Sequence, residues 1–175
     1  MRPIVPAWLV LAVAGAAITG CSFDSSEDLS KSVDASQFRI ETDRDVYVPN
    51  EEGMLEIGYT LINGTEQTIY ITDATGHLRG EIYKQIGNRW VFATGYGVPD
   101  VLRSPIELRS GESHSHVLRL PVPNEGRGTW KIEAAEIQGT FRVRETVYAS
   151  WDADRQTGEL LPEEFLVSQP FEIRR

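Results

Sequence analysis

Between Gly53 and Asn63 the side chains alternate without a break. Leu55, Ile57, Tyr59 and Leu61 fall on one side, and Glu56, Gly58 and Thr60 on the other. A period of two places these sets on opposite faces of an extended chain. The segment is therefore expected to be a half-buried strand, dry on one face and wet on the other. Whatever the rest of the chain builds must cover the dry face.

Shorter segments carry the same pattern. Gln37–Glu41 alternates, and Gln67–Asp73 holds Thr68, Ile69, Tyr70, Ile71 and Thr72. His77–Ile86 and Arg89–Phe92 flank Gly87-Asn88 and read as a hairpin. Ser113–Leu120 follows the turn Ser110-Gly111-Glu112 and is closed by Pro121 and Pro123. Gly128–Ile137, Gly139–Tyr148 and Phe165–Ile173 are three more expected strands. Asn63-Gly64 is a turn pair, Gly95–Pro99 is a loop by composition, and Asp152–Glu164 is polar and turn-rich. No long helical stripe interrupts them. Short strands with turn signals every 8–12 residues or so describe an all-β sandwich or barrel. The expected core is Leu55, Ile57, Leu61, Phe141, Val143, Phe171 and Ile173 between two sheets, with Trp90 or Trp130 filling the middle.

The sole cysteine is Cys21, so no disulfide can join the sheets, and the fold must rest on its core. The N-terminal segment differs in kind. From Ile4 to Ile18 it is apolar, with one charge, Arg2, before it. It is shorter than the roughly 20 residues a membrane span needs, and has the layout of a secretory leader. The stretch Ala7–Cys21 ends in Ile18-Thr19-Gly20-Cys21, a branched apolar residue, two small residues and a cysteine. It resembles the lipobox of bacterial lipoproteins. That resemblance implies removal of residues 1–20, lipidation of Cys21 and a membrane anchor in the cell envelope. Ser22 after the cysteine favours the outer membrane where the host has one.

Residues 21–36, with the serine- and acid-rich run Ser22–Ser36, are expected to be a flexible tether. Fifteen such residues span roughly 20 Å on average and at most about 50 Å. Residues 37–175 are expected to form one domain. The whole chain has a formal charge of −9; losing Arg2 with the leader leaves 16 cations against 26 carboxylates, or −10. Such a surface argues against nucleic acid as a partner and against docking on anionic lipid by charge alone.

The order of the segments also resembles a bacterial immunoglobulin-like domain of envelope lipoproteins, over about Phe38 to Ile173. The residues that carry it are Asp45-Val46-Tyr47-Val48-Pro49, Leu61-Ile62-Asn63-Gly64-Thr65, Trp90, Leu108-Arg109-Ser110-Gly111-Glu112-Ser113, Gly139-Thr140-Phe141-Arg142-Val143 and Val167-Ser168-Gln169-Pro170-Phe171-Glu172-Ile173. The resemblance implies a Greek-key β-sandwich without catalysis of its own, acting as a binding or accessory module, with an envelope protein as partner. The chain departs from that pattern at Phe141, where such domains often have tyrosine, and at Trp130–Gln138, which lengthens the approach and is expected to add a strand.

Four groups of residues bear on chemistry. His114 and His116 share one face of a strand and could share a metal; with only two ligands, and His116 in phase with Leu118 and Leu120, they are expected to line the core's rim. Asp152-Ala153-Asp154 opens like a calcium loop, with Glu163 at its twelfth position, but Thr157 stands where the turn needs glycine and Gly158 comes one late. Ser113 and His114 lack the second glycine of a nucleophile elbow. Tyr96 and Trp151 could stack on sugar at loop tips, or plug the end of a sandwich. The expectation is a protein-binding module with no catalytic residue, cofactor or metal. A glycan- or calcium-binding module is the alternative, and a hydrolase comes third. Asn63-Gly64-Thr65 matches a glycosylation sequon, discounted because the lipobox is bacterial.

Overall fold

In the computed structural model the described residues are 33–71, 80–95, 105–122, 130–131 and 137–174. They hold eleven strands and no α-helix: β1 (Phe38–Thr42), β2 (Val46–Tyr47), β3 (Met54–Asn63), β4 (Ile69–Ile71), β5 (Glu81–Ile86), β6 (Arg89–Gly95), β7 (Ile106–Leu108), β8 (Ser113–Pro121), β9 (Gly139–Arg144), β10 (Val147–Tyr148) and β11 (Phe171–Ile173). The expected alternation in Gly53–Asn63 is β3, where Leu55, Ile57, Tyr59 and Leu61 are each at most 1% exposed while Glu56 faces solvent.

Three sheets form. One has the order β1-β3-β8, a second β10-β4-β7, and a third β2-β11-β9-β5-β6. The β3–β8 register sets Leu55 opposite Leu120, Ile57 opposite Leu118 and Tyr59 opposite His116. In the five-stranded sheet Phe171 lies opposite Phe141, and the two rings stack with centroids 6.4 Å apart. The inward faces of all three sheets meet in one apolar cluster. The architecture is all-β, with sheets packed on a shared core as in a sandwich.

Every aliphatic and phenylalanine residue expected in the core is buried there, at 2% exposure or less. Trp130 is also in the core, its indole N–H donating to the Pro121 carbonyl. Trp90 is not. It pairs with Gln85 across the β5–β6 hairpin and lies on the sheet's outward face, half-buried. The reason is phase: the register shift at Ile82/Tyr83 leaves Ala93 as an extra residue in β6, so Phe92 and Trp90 fall on the face of Tyr83, opposite the face that Ile82 and Thr94 share.

Other expectations shift in detail. Gly139–Tyr148 alternates in burial to its end, yet the chain leaves the five-stranded sheet after Arg144 and joins β4 as β10. Phe165–Ile173 is strand only over its last three residues; a 3-10 turn at Glu163–Phe165 comes before it. Packing on the core also reaches residues before 37. Asp34 caps a 3-10 turn over Ala35–Gln37 through the Ser36 amide, and Ala35 and Val33 pack on the core. In the segment Trp130–Gln138 the described residues form no strand, although the Lys131 amide donates to the Ala93 carbonyl of β6. Residues 132–136 lie outside the described set, as do 1–32, with the leader, Cys21 and most of the tether.

Candidate functional site

The outward face of the five-stranded sheet gathers three aromatic rings and two arginines. Arg142 and Arg144 alternate with core residues on β9 and so point outward together. Tyr83 of β5 lies opposite Arg142 on one side and Phe92 of β6 on the other. Tyr83 and Phe92 meet edge to face at 5.8 Å. The Arg142 guanidinium lies 4.5 Å from the centre of the Trp90 ring and 5.9 Å from that of Tyr83, within the range of cation–π attraction.

The two arginines are engaged differently. Arg144 donates through one amino group to Glu81 at 2.9 Å, and the Tyr83 hydroxyl donates to the same oxygen at 3.1 Å. Burial lowers the Arg144 pKa, but the hydrogen bond and nearby negative groups outweigh it, so its value is raised. Arg142 makes no ion pair with Glu81. Its Nε is buried and meets no hydrogen-bond partner, and the Arg144 Nε is in the same condition. Burial pulls the Arg142 guanidinium below its ordinary value, with Glu163 acting against that through its charge. Burial also pushes the Tyr83 phenol up, helped by the charge of Glu81.

A second polar cluster is internal. Glu145, where the chain passes from β9 to β10, is 2% exposed. Its Oε1 accepts from the Tyr59 hydroxyl and, at 2.8 Å, from the Gly80 amide. Its Oε2 is buried without a partner. Burial pushes this carboxyl up to about 7, and the hydrogen bonds from Tyr59 and Gly80 only partly oppose it. Tyr59 also packs edge to face against His116 at 5.7 Å.

The residues singled out in sequence do not assemble into one site. His114 and His116 face inward, opposite Leu61 and Tyr59. Ser113 and Ser115 are on the other face of β8, and Ser115 pairs with the Thr60 hydroxyl at 2.8 Å. Neighbouring strand residues point apart, so Ser113 and His114 do not form a nucleophile–base pair. Asp152 spends Oδ1 on the Asp154 and Arg155 amides, at 3.0 and 3.1 Å. The acidic loop is a hairpin, closed by bridges at Tyr148–Leu160 and Asp152–Thr157, and Glu163 belongs to the 3-10 turn beyond it. Trp151 is half-buried, edge-on to Tyr148 at 5.2 Å. Cys21 and Tyr96 lie outside the described residues. Among the described residues no group of three or more His, Cys, Asp or Glu could hold a metal.

The Arg142–Trp90 pair and Glu145 were not singled out in sequence. Of the two tryptophans expected as alternatives for the middle of the core, Trp130 fills it; that Trp90 lies outward follows from a bulge that a period-of-two reading does not register. The run Phe141-Arg142-Val143-Arg144 does signal an outward arginine pair.

No family model matches the chain, and no curated protein matches it. Among solved structures it is similar to a β-glucosidase from Listeria innocua, determined in complex with glucose, at 15% identity and a TM-score of 0.30. The likeness covers 79% of this chain and 16% of the glucosidase chain.

Proposed function

We propose that this chain is a lipid-anchored, non-catalytic module of the bacterial cell envelope, built on an immunoglobulin-like Greek-key sandwich, that binds another envelope protein. The observation that carries the reading is Ile18-Thr19-Gly20-Cys21 at the end of a short apolar leader. The Greek-key assignment draws support from strand order: among the described pairs, β5–β6 alone joins strands consecutive in the chain. A binding role draws support from the outward face of the five-stranded sheet. Tryptophan, tyrosine and arginine are the residues that most often dominate protein interfaces. A non-catalytic role is in keeping with Ser113 and His114 lying on opposite faces of β8, and with a Glu145 carboxyl enclosed by the core.

The anchor is tested by cell fractionation. Each buried methylene contributes about 0.8 kcal/mol, and more than one acyl chain, as in the lipoproteins this leader resembles, makes release negligible. Cys21→Ala is expected to move the processed protein from the membrane to the soluble fraction. A processed Cys21→Ala protein that stays membrane-bound like wild type overturns the lipid-anchor reading.

A further inference from the structure

We infer that Asn63-Gly64 is a self-modification site that the fold holds closed: when the chain unfolds there, the Gly64 nitrogen attacks the Asn63 side chain, and the product cannot return to the native structure. Asn63 is the only asparagine in the chain followed by glycine; Asn50, Asn88 and Asn124 precede Glu51, Arg89 and Glu125. Glycine leaves the attacking nitrogen unhindered and the backbone free to turn toward the side chain. Having lost its proton, the Gly64 nitrogen adds to Asn63 Cγ. An N–Cγ bond forms, the Cγ–Nδ2 bond breaks, and ammonia leaves. The resulting five-membered imide takes up one water and opens to aspartate or isoaspartate. Nothing is oxidised or reduced, and water is the sole co-reactant.

The fold both demands this reactive pair and blocks its reaction. A Cβ on residue 64 would lie 2.6 Å from the Gln37 carbonyl oxygen, which accepts from the Gly64 amide at 3.0 Å. Only glycine fits there, and the attacking nitrogen has its proton engaged. Asn63 is fully buried. Its side chain donates to the Gln67 and Leu108 carbonyls and accepts from the Thr65 amide and hydroxyl. Its backbone is held as well, with its amide on the Glu112 carbonyl and its carbonyl on the Gly111 amide. Bringing Cγ onto the Gly64 nitrogen requires breaking the side-chain bonds and the bond to Gln37 together, which happens only on opening. The products do not fit the same place. Aspartate sets an acceptor against the Gln67 and Leu108 carbonyls, and isoaspartate adds a backbone atom where β3 ends. Unfolding is thus made irreversible by chemistry at one residue pair.

The test incubates the full chain in urea above its unfolding transition and, in parallel, in native buffer, at the same mildly alkaline pH and temperature. Intact mass reads the gain of one mass unit, and peptide mapping with isoaspartate detection locates it. The unfolded chain is expected to gain mass at Asn63 before Asn50, Asn88 or Asn124. The native chain should react about a thousandfold or more slowly, in proportion to the time it spends unfolded. After dilution from urea, the fraction that regains the native unfolding transition should fall in step with the fraction modified. The same urea exposure at mildly acidic pH, where the Gly64 nitrogen keeps its proton, should leave refolding complete. Gly64→Ala, compared with wild type in urea where neither needs to fold, should slow the reaction several-fold. Modification that begins at another residue, a native chain that reacts as fast as the unfolded one, or modified chains that refold with the wild-type transition would each overturn the inference.

Discussion

The Tyr59 hydroxyl donates its hydrogen bond to the Glu145 carboxyl across the core. Tyr59 is the centre of β3, and Glu145 is the point at which the chain leaves one sheet for another. The alternation that begins with Phe141 continues through Val143 and Glu145 to Val147, all buried. An acid thus occupies a core position, and the phenol and the Gly80 amide are what it meets there. This contact ties β3 to the chain beside β5 and β9.

The Glu145 carboxyl makes stability depend on pH. Its value is about 7 when folded against 4.5 in an unperturbed chain, with burial the main cause. Between those values the folded protein holds a proton that the unfolded chain releases. The stabilisation is complete below pH 4.5 and is lost as pH rises through 7, by roughly 3 kcal/mol. Tyr59 faces the carboxyl from β3, His116 stands behind that ring from β8, and Glu81 adds a like charge from β5. Urea unfolding at about pH 5 and about pH 8 measures the loss. Glu145→Gln, which mimics the protonated form, is expected to remove most of this pH dependence. An unchanged pH slope in Glu145→Gln would sink the assignment.

Asn63 is a second buried polar residue, and all of its hydrogen-bonding capacity is used. Its amide nitrogen donates to the Gln67 and Leu108 carbonyls, each at 2.8 Å, and its oxygen accepts from the Thr65 amide and hydroxyl at 3.0 and 2.7 Å. It joins the end of β3 to the approach to β4 and to β7. Asn63→Ala leaves these groups unpaired and is expected to cost about 2–4 kcal/mol. Asn63→Asp keeps the shape but turns a donor into an acceptor facing two carbonyls, so it should be at least as severe. Near-wild-type melting of Asn63→Asp would contradict this account.

Much of the fold was legible because its strands are amphipathic. A period of two at Leu55–Leu61, Phe141–Val143 and Phe171–Ile173 identifies both the strands and the residues inside them. The same pattern says nothing about which sheet a strand joins, so β9 and β10 read as one. Nor does it register a bulge, and so it leaves Trp90 and Trp130 as equal candidates for the middle of the core. Asn63 beside Gly64 reads as a turn residue, and its turn role and its buried hydrogen-bond role share one side chain. The arginine–aromatic face was harder to see, because it combines strands whose adjacency comes from crossovers: β9 next to β5 has no local signal in the chain.

The contrast between the two faces of β3 is a direct test of the core. Ile57 is fully buried opposite Leu118, while Glu56 is exposed and pairs with Arg119 at 3.1 Å. Ile57→Ala is expected to cost about 2–5 kcal/mol, the range for deleting a buried aliphatic side chain. Glu56→Ala should remain within about 0.5 kcal/mol of wild type, since exposed ion pairs contribute little. Urea unfolding of both variants decides it; equal losses would mean that the strand has no dry face.

Gly158 separates lack of space from backbone strain. Its φ is not in the left-handed region, yet a Cβ there would lie 1.9 Å from the Ser150 carbonyl oxygen and 3.2 Å from the Tyr148 ring. The obstacle is backbone, which cannot swing away as a side chain could. Gly111 is the opposite case, with φ at +77° and open space where a Cβ would go. Gly111→Ala should cost about 1–2 kcal/mol, the penalty of a left-handed conformation. Gly158→Ala must separate the two arms of the hairpin and break the bond from the Ala149 amide to the Glu159 carbonyl, 2.7 Å long. It should therefore cost more than Gly111→Ala and make the hairpin between Val147 and Leu161 more readily cleaved by protease than in wild type. The glycine that comes one residue late for a calcium loop is thus explained by the close approach of two backbone segments. Were Gly158→Ala as mild as Gly111→Ala in urea unfolding, or cleaved no faster than wild type, that explanation would fail.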